Sequence, residues 1–307
     1  MTFQRVVMNF WSWLTDPVSP LPLALFRILF GFILILNGAL LFPDLGMWFS
    51  AGGIFPLDSA RSMIGVNRLN VFLQLGDSYK TVATVFWVYM AASVLLMIGL
   101  FPRRMALLVY ITLASFGHRN IYILHSGDTF IRIVSFLMIF APSGAALSVE
   151  SWMRGFPLKR VNPAAFRAIQ FQVCLLYAAA FCFKATGARW LDGSAVYIVL
   201  QLTEFQHFPL PDFMRSDFMS KVQTWGTLAI EGAFPVLVWF RDTRLVIIAG
   251  SILMHIGIEY SMNIQLFEWT LMASLALFLD KHEIRSMLGW LQRILYRRIP
   301  CPSQNPH

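Results

Sequence analysis

The stretch Pro163–Gly193, PAAFRAIQFQVCLLYAAAFCFKATGARWLDG, decides how the rest of the chain is read. Pro163 suits a helix entry, because the N–H it lacks would be unpaired in the first turn anyway. The apolar run from Ile169 to Phe183 then meets Lys184. At about 1.5 Å per residue the segment is long enough to cross a bilayer. Gln170, Tyr177 and Lys184 recur at intervals of seven, with Cys174 between them. On a helix these positions share one face. A membrane helix does not turn an amide, a phenol and an amine to lipid, so the stripe is expected to face a protein interior with Lys184 at the rim of a cavity. The competing reading is that Lys184 snorkels to the headgroups and only marks the end of the helix.

Working outward, composition supports a membrane protein. The 307 residues are 57% hydrophobic and 13% charged, with mean hydropathy +0.63. A soluble domain of this length would carry far more surface charge. The net charge of +8 sits in short loops beside apolar runs, a pattern of topology and of attraction to anionic lipid, with no nucleic acid implied. Cys174 and Cys182 lie about 12 Å apart along one helix and cannot bridge. Neither a disulfide framework nor a metal-binding cysteine pair is present. The motifs H-E-x-x-H, G-x-S-x-G, C-x-x-C and the Walker loop are also missing. The N-terminus lacks the small-residue cleavage site of a signal peptide.

The expected fold is an all-α integral membrane bundle of about eight transmembrane helices with amphipathic interfacial helices. Residues 1–20 read as an interfacial helix with Trp11 and Trp13, 21–280 as the transmembrane domain, and 281–307 as a basic amphipathic tail. The spans are placed at 21–42, 81–101, 105–116, 127–147, 169–183, 225–240, 245–261 and 264–279. Arg103, Arg104, Arg154, Lys159, Arg160, Arg241, Arg244 and the tail then share one side. The positive-inside rule makes that side cytoplasmic, with both termini there. The long connections 43–80 and 187–222 lie outside, together with Lys184.

Charge at membrane depth is expensive, so each case needs a partner or a purpose. Arg27 is expected to pair with a carboxylate on another helix. Asp128 and Arg132, four apart, can pair along one helix or shape the mouth of a site. His255 and Glu259 are also four apart, which suits either a general base with its orienting carboxylate or a satisfied core histidine. Glu231 lies beside Pro235, where the helix is expected to break.

Together these residues resemble a known family. The resemblance rests on Arg27, the Gly52-Gly53-Ile54-Phe55-Pro56 turn, Ser126-Gly127-Asp128 followed by Arg132, and Lys184-x-x-Gly187-x-x-Trp190-x-x-Gly193. It continues with Trp225-Gly226, Glu231, the Phe240–Arg244 turn and Met262-Asn263-Ile264-Gln265-Leu266-Phe267. The chain is similar to the horizontally transferred transmembrane (HTTM) domain, the membrane module of vitamin K-dependent gamma-carboxylases, over about residues 20–280. The resemblance implies a lysine base acting on a reduced quinone such as vitamin K hydroquinone, and Lys184 is the candidate. An amine in an apolar wall loses solvation of its charged form and becomes a better base. Lys184, His255 and Glu259 are thus the catalytic candidates. Asp128, Arg132, Tyr177, Trp190, Asn263 and Gln265 are the substrate-binding candidates. The sequence departs from the carboxylases in three ways. The interval from Lys184 to Trp190 is one residue longer. Gly127 stands where a histidine helps in the carboxylases, with His125 displaced. The large extracytoplasmic domain has no counterpart here. The longer spacing is closer to the bacterial HTTM group that includes SdpB-type proteins.

Two functions follow as expectations. One is a membrane-embedded enzyme of a bacterial inner membrane, acting on a quinone-like or lipid-like apolar substrate with Lys184 as base. The other is a non-enzymatic, SdpB-type maturation or handling factor for an exported peptide or lipoprotein. Membrane lipid is a partner in both. A transporter lacks the internal repeat that such folds carry.

Overall fold

Each of the eight apolar segments contains a helix, though the fourth, 127–147, is α-helical only to Met138. The computed structural model describes residues 11–64, 68–155, 159–264, 266–287 and 289. The helices are α1 Leu21–Leu41, α2 Tyr79–Ile98, α3 Pro102–Arg119, α4 Ser126–Met138, α5 Ala164–Ala185, α6 Asp217–Leu237, α7 Arg241–Ser261 and α8 Phe267–Ser274. A 3-10 turn, Leu275–Phe278, prolongs α8. Among the described residues there is no strand, only the isolated bridges Val18–Val161 and Gln206–Met262. Four stretches are long and apolar enough to cross a membrane: Leu21–Phe49, Tyr79–Ile98, Ala164–Ala185 and Arg241–Ser261. The other four helices are shorter or carry more charge. The sixth begins at Asp217, well before the expected Trp225, because Ser216 caps it by accepting from the Met219 N–H.

Local sequence explains most boundaries. Pro163 precedes α5 as expected. Pro102 opens α3, and Gly99 closes α2 in the left-handed region at φ 73°. His125 and Asp128 cap α4 reciprocally, since the Asp128 carboxylate accepts the His125 backbone N–H at 3.0 Å. Pro235 falls in the last turn of α6, so it costs the helix its end rather than its middle.

The helices pack as neighbours: α1 on α2, α2 on α3, α5 on α6, α6 on α7 and α7 on α8. The apolar core runs through Phe26, Phe30, Phe130, Val173, Phe234 and Phe278. The outer surface is apolar as well, with Phe183, Val246, Leu253, Leu175 and Trp87 all exposed. Such a surface is stable only against lipid or a partner, and these apolar helices are compatible with an integral membrane protein in contact with membrane lipid.

Arg27 meets its expected carboxylate only at a distance. Its side chain is fully buried, and Glu150 lies within electrostatic reach without a direct contact. It donates instead to the carbonyl of Leu147, a residue at φ 46°. Its guanidinium fills the space beside Gly99, where an added Cβ would lie 1.5 Å from Nη1. The expected carboxylate, Glu150 of the Val149–Met153 helix, acts on Arg27 only through its field, while the Leu147 carbonyl takes the direct bond. Gly99→Ala meets both left-handed strain and the displaced guanidinium. It is expected to cost about 2 kcal/mol or more, read as a lowered midpoint of thermal unfolding in detergent.

Candidate functional site

The polar face of α5 is where the charged side chains converge. Gln170, Cys174 and Tyr177 are buried along it, as the seven-residue spacing predicts. Lys184 sits one residue before the end of α5, its side chain 27% exposed. Its Nζ bonds Glu231 Oε1 of α6, and Glu231 is only 8% exposed. The same amine lies 5.1 Å from the centroid of the Trp190 ring. A carboxylate on one side and an aromatic face on the other hold the charge. Gly187 starts the short helix Ala188–Leu191 that carries Trp190 back over the amine. Glu231 Oε2 is buried with no partner among the described residues.

Two turns deeper, Tyr177 Oη lies 2.6 Å from His255 Nε2 of α7. His255 Nδ1 bonds Glu268 Oε2 of α8. All three side chains are buried. One proton arrangement satisfies every atom: Nδ1–H donates to the Glu268 carboxylate, and Nε2 accepts the Tyr177 O–H. The Tyr177 ring stacks on Phe234 at 4.1 Å, which fixes the phenol. Glu231 lies within electrostatic reach of both His255 and Glu268. The two networks therefore form one cluster of an amine, a phenol, an imidazole and two carboxylates.

This pairing differs from the expected one. The carboxylate that orients His255 is Glu268, not Glu259. Glu259 faces the 187–222 connection, with its Oε1 3.7 Å from His207 Nδ1. A spacing of four offers proximity, but α8 folds back onto α7 and brings its own acid to the imidazole. Glu268 was detectable as an acid inside the apolar stretch 264–279, the signal that also marked Glu231.

Asp128 and Arg132 do not pair either. Asp128 turns back to cap α4, 3.4 Å from the His125 imidazole. Both line a cavity of about 370 Å³ with Asn37, Tyr89 and His125. Tyr89 donates to the Leu34 carbonyl at 2.6 Å and Asn37 donates to Tyr89 at 3.3 Å. Asn263 is exposed at the α7–α8 turn, and its backbone N–H donates to Phe205. Gln265 lies outside the described residues. A second cavity, of about 410 Å³ and mostly apolar, lies along α6 and α7. Ile230 and Met254 line it, and they adjoin Glu231 and His255 in sequence. Beyond the spans, Asp192 closes the turn after Trp190. The Ser194 hydroxyl and N–H hold its carboxyl below the usual range. Among the described residues, no group of three or more His, Cys, Asp or Glu could hold a metal ion.

No curated protein and no solved structure matches the chain. A family model described as the HTTM domain matches residues 15–282, which takes in α1 to α8 with both buried networks, and the chain therefore belongs to the HTTM domain family.

Proposed function

We propose that this protein is a membrane-embedded enzyme that removes a proton from an apolar, quinone-like or lipid-like substrate, with Lys184 as base. The observation that carries the reading is the bond between Lys184 and the buried Glu231, where a snorkelling lysine would reach for water. In a low-dielectric setting the ion pair and the neutral pair of amine and carboxylic acid come close in energy. Transfer of the ammonium proton to Glu231 frees the amine, which then takes the hydroxyl proton of a bound quinol. The unused Glu231 Oε2 leaves room for that proton. Tyr177, His255 and Glu268 would serve as a relay that passes it on. Hydroquinone fits as the substrate because its chemistry begins with loss of an acidic hydroxyl proton. Trp190, Asn263 and Gln265 remain proposed substrate contacts and Glu259 is proposed to act from the outer turn, while Asp128 and Arg132 line a separate cavity and are proposed to contact substrate only on its way in.

The topology proposed with this function has eight crossings, both termini cytoplasmic and a bacterial inner membrane as location, with 11–15 and 281–287 lying along its surface; of the expected terminal helices, 1–10 and 290–307 lie outside the described residues. The test is oxidation of added quinol by dissolved dioxygen, which follows the deprotonation, in membranes bearing Lys184→Ala. Turnover equal to that of the unaltered protein removes the base. Lys184→Arg is expected to fail as well, since a guanidinium does not deprotonate.

The apolar cavity along α6 and α7 is the proposed seat of the apolar substrate. Gly257 lines it, and a Cβ there meets nothing within 4 Å. Gly257→Leu fills the cavity and also raises helix propensity. It is expected to leave thermal stability unchanged or up by about 0.5–1 kcal/mol while KM rises about tenfold or more. An unaltered KM would place the substrate elsewhere.

A further inference from the structure

The opposite end of α5 carries a second site that the proposed chemistry does not use. It lies about 25 Å from Lys184, by helical rise from Arg167. A cavity of about 300 Å³ opens there between the 11–15 helix, the start of α5, the α6–α7 turn and the end of α8. Four cations line it, Arg160, Arg167, Arg244 and Lys281, against a single carboxylate, Asp280. That carboxylate is already engaged. Its Oδ1 accepts the N–H groups of His282 and Glu283 at 2.8 and 2.9 Å, and Arg244 lies 3.6 Å away. Arg244 also approaches Glu283 at 3.4 Å and donates to the Phe278 carbonyl.

The two inner guanidiniums have donors to spare. Arg167 donates to Gln170 Oε1 at 2.9 Å and lies 4.0 Å from the Trp13 ring centroid, which fixes its plane. Its Nε and that of Arg244 are buried with no partner among the described residues. Planar, forked donors in a net-positive hollow match a phosphate oxygen set. The walls indicate where that phosphate comes from. Trp13 and Trp239 meet edge to face at 5.2 Å, and Val238, Leu277 and Phe278 line the same cavity. Indoles and apolar residues at the end of a span belong to the headgroup level of a bilayer, where basic clefts between helices take acidic lipid.

We propose that this cavity binds the phosphodiester headgroup of an anionic glycerophospholipid. The lipid seats the 11–15 helix and the 281–287 helix against the bundle and is not consumed. The inference does not depend on catalysis at Lys184.

The test uses the full chain in detergent micelles, titrated with phosphatidylglycerol, phosphatidylcholine or inorganic phosphate. Retained lipid is read by native mass spectrometry, and stability by thermal unfolding. Phosphatidylglycerol is expected to be retained and to raise the unfolding midpoint, while phosphatidylcholine and inorganic phosphate do neither. Arg160→Gln is exposed and keeps the fold; it is expected to weaken phosphatidylglycerol about fivefold, and Arg160→Gln with Arg167→Gln about 25-fold, at about fivefold per basic residue. Arg189→Gln makes the same charge change at the other end and is expected to leave affinity unaltered. Equal retention of the two lipids, or an equal loss with Arg189→Gln, would overturn the site. Stabilisation by inorganic phosphate alone would overturn the lipid as its source. Both readings come from the unaltered protein as well, so a variant that fails to fold does not leave the proposal untested.

Discussion

Lys184→Met is expected to lower the unfolding free energy by about 3 kcal/mol, the low end for breaking a buried ion pair because the lysine keeps partial access to water. The physical reason is the asymmetry of the pair. Glu231 is the more buried partner, and its second oxygen already lacks a hydrogen bond. Without the amine, a desolvated carboxylate has neither oxygen satisfied, and it must take up a proton or draw water between α5 and α6. The double variant Lys184→Met with Glu231→Leu removes both charges and is expected to recover to within about 1 kcal/mol of the unaltered protein, since an apolar pair of similar volume replaces an ion pair at little cost. Thermal unfolding in detergent reads both variants. The double variant also separates structure from chemistry: it restores the fold and leaves quinol turnover absent. If Lys184→Met unfolds at the same temperature as the unaltered chain, the amine is solvated and the base loses its setting.

The second large effect is expected at Glu268. Glu268→Leu strips the acceptor from His255 Nδ1 at a site where both side chains are buried. The imidazole N–H is left unpaired in the core, at a cost of about 2–3 kcal/mol for a donor formerly bonded to a charged group. Glu268→Gln keeps a carbonyl acceptor and is expected to cost about 1 kcal/mol. Tyr177→Phe removes only the far hydroxyl, also at about 1 kcal/mol, because stacking on Phe234 survives. The three residues act as one network, so Tyr177→Phe and Glu268→Gln together should depart from additivity by about 0.5 kcal/mol or more. Strict additivity would mean that the imidazole does not couple the phenol to the carboxylate. The same measurement on Glu259→Gln serves as the contrast: Glu259 sits near His207 at the end of α7, and its change should couple to neither.

These expectations combine two kinds of information. Seven-residue spacing was enough to put Gln170, Tyr177 and Lys184 on one face of α5, and the cost of polar groups in lipid was enough to turn that face inward. Pro163 marks a helix start through backbone chemistry that a few neighbouring residues contain, whereas the apolar run starting at Trp225 did not reveal that Ser216 caps α6 well before it. Glu231 and Arg27 could be singled out because charge inside an apolar run is rare. Partner choice was another matter. Asp128 and Glu259 each had a plausible neighbour four residues away, and each went elsewhere. Asp128 found an unpaired N–H at the start of its own helix, and Glu259 met His207 of the 187–222 connection.

By itself, then, the chain determined which segments are helical, which faces are polar and which side chains needed company, because these depend on helical period and on solvation. The packing of α5 against α6, and of α8 back onto α7, decided who supplies that company. Glu231 is 47 residues from Lys184 and Glu268 is 13 from His255. No local spacing encodes such pairs; they exist only once the core has set the helices side by side.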